Sequence, residues 1–193
     1  NMEALTDYLS LYDKGLIKQK ITKSTNENKR GVEVTGVSPA NLLMFGTPSK
    51  LLNASATEEA FDDLLRTGYA RRLIYAYNTK PRKADTRSPE EVYAAITNPA
   101  LVNATDEIVE WFNELADMDY YNVQLTMDKS TSLKLIQYRL ECEKKAEAIP
   151  EHREAVKAEM VHRYYKSLKL AGAYAFVDKS STITDYHLDC AIQ

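Results

Sequence analysis

In residues 3–13, EALTDYLSLYD, apolar side chains recur at helical spacing, with Leu5, Tyr8, Leu9 and Tyr12 on one face ahead of Gly15. The repeat predicts a short amphipathic helix closed by the glycine. The pattern then changes. Ile17-Lys18 and Lys20-Ile21-Thr22-Lys23 alternate, TNEN turns, and GVEVTG returns, which predicts a two-stranded hairpin. Leu42 to Phe45 are four apolar residues running straight into Gly46-Thr47-Pro48-Ser49. Such a run, ended by turn residues, predicts a strand buried on both faces. Thr57 is placed to cap a helix that carries Phe61, Leu64 and Leu65 and stops at Gly68. YARRLIYAYN, residues 69–78, is rich in aromatic and branched residues and predicts a second buried strand.

After the polar loop 79–89 the period becomes 3.6. Ser88-Pro89-Glu90-Glu91 reads as an N-cap, a proline at the first helical position and acids in the first turn. Helices are predicted over 89–97, 105–118, 129–148, 151–177 and 184–193, interrupted by one short strand at 122–127. The expected fold class is α+β, or a truncated α/β fold. A small mixed sheet (17–23, 31–35, 41–46 and 69–77) with flanking helices would occupy residues 1–88, and a helical bundle residues 89–193, with 122–127 as an optional further strand of the sheet.

Composition narrows the function classes. The net charge of −3 advertises no global affinity for nucleic acid, so any such contact must be local. Cys142 and Cys190 lie far apart without metal-ligand spacing, which suits reduced cytosolic thiols. No apolar run approaches the roughly 20 residues of a membrane span. Asn1-Met2 opens without a basic or apolar leader and looks like a tag remnant. GxxxxGK[ST], GxGxxG, HExxH and CxxC patterns are all absent, and no metal site is expected. His152, His162 and His187 are far apart in sequence and read as helix-face histidines.

Three features carry candidate chemistry. Gly46 and Pro48 would present the Thr47 hydroxyl at a strand's C-terminal end, where α/β proteins gather functional groups; a plain strand-to-helix turn is the alternative. Arg71 and Arg72 are adjacent, so in a strand one would pack inward while the other projects as an arginine finger. Structural ion pairs are the alternative for both. Residues 14–30 hold Lys14, Lys18, Lys20, Lys23, Lys29 and Arg30 against Glu27 alone. That is a local phosphate-binding footprint or a solvated hairpin. Lys80, Arg82, Lys83 and Arg87 repeat the signal more weakly.

SPANLLMFGTPSKLL (38–52), LLRTGYARRLIYAYN (64–78), and the tail from AEAIPEHREAVKAEMVHRYYKSLKLAGAYAFVD to STITDYHLDCAIQ follow one another in an order that resembles phage-type replicative helicase and primase-helicase ATPases. The resemblance spans about residues 5 to 193. It implies the C-terminal portion of a RecA-like or AAA+-like core in 1–88 and a mainly helical lid in 89–193. On that reading Thr47 is the sensor, Arg71 or Arg72 reaches a neighbour's nucleotide, and Arg163 is a lid-borne second sensor. Lys18, Lys20, Lys23, Lys29 and Arg30 would touch DNA, single-stranded in such motors. The resemblance further implies a homo-oligomer in the cytoplasm of a bacterial host, phage-encoded or not, and no membrane contact. ATP and Mg would bind only the complete motor, because a Walker A lysine and Walker B carboxylate would lie upstream of residue 1. The chain alone would then hydrolyse nothing. The competing expectation is a non-catalytic module that binds nucleic acid or docks a replication partner.

Overall fold

A computed structural model describes residues 2–16, 37, 41–78, 80 and 83–193, apart from the side chains of 2–6 and 102. The chain separates into two compact units, Asn1–Ala70 and Arg71–Gln193.

The first unit holds helices α1 (Met2–Lys14), α2 (Pro48–Leu51) and α3 (Ala56–Leu64). The cap of α3 is Ser55, two residues ahead of the expected Thr57: its hydroxyl accepts the Thr57 N–H at 3.3 Å. Ser55 is extended, as a capping residue must be, while Thr57 is already helical. At its far end α3 widens into a π turn over Leu65–Tyr69, closed by the Ala70 N–H on the Leu65 carbonyl at 3.2 Å. Gly68 makes this possible with φ 110°, a conformation costly for any residue with a Cβ.

The second unit contains α4 (Pro89–Ile96), α5 (Pro99–Leu115), β1 (Thr126–Met127), α6 (Lys129–Glu147), α7 (Glu154–Val177), β2 (Thr182–Ile183) and α8 (Asp185–Ile192). Local chemistry explains the helix starts. Ser88 and Glu91 form a reciprocal capping box on α4, and Asn98 caps α5 ahead of Pro99. Asp128 accepts the Thr131 N–H at 2.7 Å to start α6. Backbone and side-chain donors hold the Asp128 carboxyl below its usual range, the Thr131 N–H first among them. The core forms where α7 crosses α8: Ala171, Ala175, Ile183 and Leu188 are buried, with Leu125, Met127, Leu135 and Leu168 packed against them. Small residues on α7, Ala171 and Ala175, lie fully buried at this crossing.

The α+β expectation is overturned. Among the described residues the fold is mostly helical, and the only ladder is the parallel pair β1–β2, with Thr126 opposite Thr182 and Met127 opposite Ile183. Of the strand expected at 122–127, only these last two residues pair. Residues 41–47 have no regular structure, and Leu43 and Phe45 are 80% and 91% exposed. Residues 69–72 are absorbed by the π turn and a following turn, and 73–78 run irregularly with Ile74 63% exposed. The physical reason is that a buried strand is not a local property. It needs ladder partners on its edges and packing on both faces, and these segments have no ladder partners among the described residues. The strands expected at 17–23 and 31–35 lie outside the described residues.

Candidate functional site

Thr47 occupies the N-cap position of the single-turn helix α2, in extended conformation. Its carbonyl accepts the Lys50 and Leu51 N–H groups at 2.8 and 3.1 Å. Its hydroxyl caps nothing and the residue is exposed. The preceding Gly46 has a packing role, since a Cβ there would stand 2.5 Å from Leu51 Cδ1. The turn is therefore built as expected, but it follows exposed chain and not a buried strand.

Arg71 and Arg72 open the second unit, both half-buried in a turn. In a turn, adjacent side chains are not sent to opposite faces as they are in a strand. Arg72 already has an interaction partner within the chain. Immediately after them, the Leu73 carbonyl accepts a 3.0 Å hydrogen bond from Lys166 Nζ, on the buried side of α7. Lys166 also pairs with Glu159 at 2.7 Å, and Glu159 pairs with Arg163 at 2.6 Å. A continuous set of bonds thus connects the segment beside Arg71 and Arg72 to the helix that carries Arg163.

The charges in this cluster are balanced by geometry. Partial burial pushes the Glu159 carboxyl up, but hydrogen bonds from Arg163 and Lys166 outweigh it and hold the group below its usual range. Tyr75 keeps 52% of its surface exposed, yet burial around its hydroxyl, and then the Glu159 charge, push its pKa up to about 12. A carboxylate with a depressed folded pKa stabilises the fold above its unfolded value, about 4.3, and loses that contribution as pH falls through the folded pKa. Urea midpoints measured against pH are therefore expected to fall below about pH 4, and Glu159→Gln should flatten that fall. An unchanged acid limb in the variant would show that Glu159 contributes no such linkage.

The sequence singled out Arg163 but not its partners Lys166 and Glu159. Their spacing, Glu159-Arg163-Lys166, places one acid and two bases along one helix face, which is a usable signal. The Leu73 carbonyl has no side-chain signature at all. His187 lies on α8, on its buried face. Its Nδ1 accepts the Thr184 N–H at 3.1 Å, which puts the proton on Nε2, 3.0 Å from Asp178 Oδ2. That arrangement completes the cap of α8. Beside it the buried Thr131 hydroxyl donates to Asp185 at 2.6 Å, tying α6 to α8.

Lys18, Lys20, Lys23, Lys29 and Arg30 lie outside the described residues. Cys142 and Cys190 are both free thiols. Among the described residues no group of three or more His, Cys, Asp or Glu side chains is arranged to hold a metal ion, and no helix is long and apolar enough to cross a membrane. The chain matches no family model, no curated protein and no solved structure.

Proposed function

We propose that this chain is part of a phage-type replicative helicase or primase-helicase ATPase, working as a homo-oligomer on single-stranded DNA in the cytoplasm of a bacterial host. The observation that supports the reading best is the bonded connection from Leu73 through Lys166 and Glu159 to Arg163. A motor of this kind needs the arginine that serves a neighbour's nucleotide to respond to movement of the lid. Lys166 gives Arg71 and Arg72 a mechanical link to α7 of the kind that response requires. Thr47 supplies the sensor hydroxyl, and Lys18, Lys20, Lys23, Lys29 and Arg30 the contacts to the DNA backbone. ATP and Mg would be held by polypeptide outside these 193 residues, so the isolated chain turns over no ATP.

A second reading, a non-catalytic docking module, draws on the exposure of Leu43 and Phe45, which suits a surface awaiting a partner. Steady-state ATP turnover of the complete reading frame, with and without single-stranded DNA, separates the two. DNA-stimulated turnover is expected, and a reading frame with no nucleotide-dependent activity overturns the motor. In the same preparation, Lys18, Lys20 and Lys23 changed together to Ala should weaken DNA binding and flatten its log–log salt slope by up to roughly one unit per lost contact. Unchanged slope and affinity would leave these three lysines without a role in DNA binding.

A further inference from the structure

Residues 88 to 128 hold nine Asp and Glu residues and not one Lys, Arg or His. In a chain whose net charge is only −3, this segment is a concentrated anionic stretch and the remainder is basic. The same segment exposes large apolar side chains. On α5, Leu101, Ile108 and Phe112 follow one another at spacings of seven and four, which places them on a single stripe of the helix. All three are solvent-exposed, Phe112 by 61%. The stripe dips into the protein only at its end, where Leu115 is buried. At about 100° per residue, Trp111 and Val109 border the stripe on its two sides, and the acids lie beyond them, Glu107 past Trp111 and Asp106 further round past Val109.

The helix is anchored from its flank. Trp111 Nε1 donates to the Val177 carbonyl at 3.0 Å, the Lys179 ammonium lies 4.7 Å from the indole centroid, and Lys179 also pairs with Glu114. These contacts hold α5 to the end of α7 and leave the Leu101–Phe112 stripe bare. A bare apolar stripe on a fixed helix is a docking surface, and the charge around it selects the occupant. Polyanions are repelled, which rules out nucleic acid and an anionic lipid surface.

We propose that the apolar face of α5 docks a basic amphipathic helix of a partner protein. Apolar residues of the partner would cover Leu101, Ile108 and Phe112, and its lysines or arginines would meet Glu107, Asp106 and the surrounding acids. This is helix-on-helix recognition with steering by opposite charge. It does not depend on the motor reading.

Trp111 is the only tryptophan in the chain and borders the stripe, so its fluorescence reports occupancy directly. The probes are a short amphipathic Leu/Lys helical peptide and a Leu/Glu peptide of identical apolar pattern, titrated into the full chain. The Leu/Lys peptide is expected to blue-shift Trp111 with an affinity that weakens as salt rises, and the Leu/Glu peptide to give no shift. Phe112→Ala, an exposed position whose loss leaves the core intact, should weaken binding about tenfold or more. Glu107→Lys with Asp106→Lys should reverse the preference between the two peptides. Equal binding of both peptides, or no shift with either, overturns the proposal. Sedimentation that reveals a dimer dissolved by Phe112→Ala also overturns it, because a second copy would then be the occupant.

Discussion

Arg71→Ala in the complete oligomeric protein is expected to leave folding and assembly intact and to cut ATP turnover about 10³-fold, the loss that follows removal of an arginine finger. Arg71 is the better candidate of the pair because Arg72 is already engaged within the chain. An arginine with an internal partner contributes to the fold, so Arg72→Ala should lower stability and spare turnover. Both residues follow Gly68-Tyr69-Ala70 directly in the chain. A finger acts on a neighbour's nucleotide, so its loss has a signature in mixtures. Subunits carrying Arg71→Ala should be partly rescued by subunits lacking the Walker A lysine, since some mixed interfaces regain a complete site. The measurement is steady-state turnover of each variant and of the mixtures, with DNA present. Near-normal turnover of Arg71→Ala, or mixtures that restore nothing, would make the pair structural and remove the main support of the motor reading.

The second large effect concerns the core. Leu188 is 0% exposed and packs against Ala171, Ala175 and Ile183. Leu188→Ala should destabilise the second unit by about 3–4 kcal/mol, within the range for buried Leu→Ala changes. A loss at the low end of the range is not expected, because two of its neighbours are alanines on a helix, which have no side chain long enough to refill the space. Leu188→Met, which keeps the volume, should cost less than about 1.5 kcal/mol. Urea unfolding followed by Trp111 fluorescence checks both. A loss under about 1 kcal/mol for Leu188→Ala would mean that the site collapses around the smaller residue.

What the sequence made legible follows the range of the forces involved. The start of α4 was readable because its signal is local, the Ser88–Glu91 capping box, whereas α5 was expected only from 105 and in fact begins at Pro99, capped by Asn98. Leu42–Phe45 and Leu73–Tyr77 have the composition of buried strands, but composition cannot supply the neighbouring strand that would make them so. The candidate site divides the same way. Arg163 with Glu159 is a pair one helical turn apart, visible in the sequence. The bond from Lys166 to Leu73 joins positions 93 residues apart, and nothing in either residue type announces it.

The acceptor in that bond is main chain, and this has a hereditary consequence. Every amino acid offers the same carbonyl at position 73, so substitutions there can drift without altering the acceptor. The donor has no such freedom. Only a long, flexible cation with more than one proton to give can serve Leu73 and Glu159 from the same atom. The bond to Leu73 is thus written in the genome on the donor side alone, and a comparison of diverged copies should find variation at 73 beside a retained long cation at 166 and a retained acid at 159.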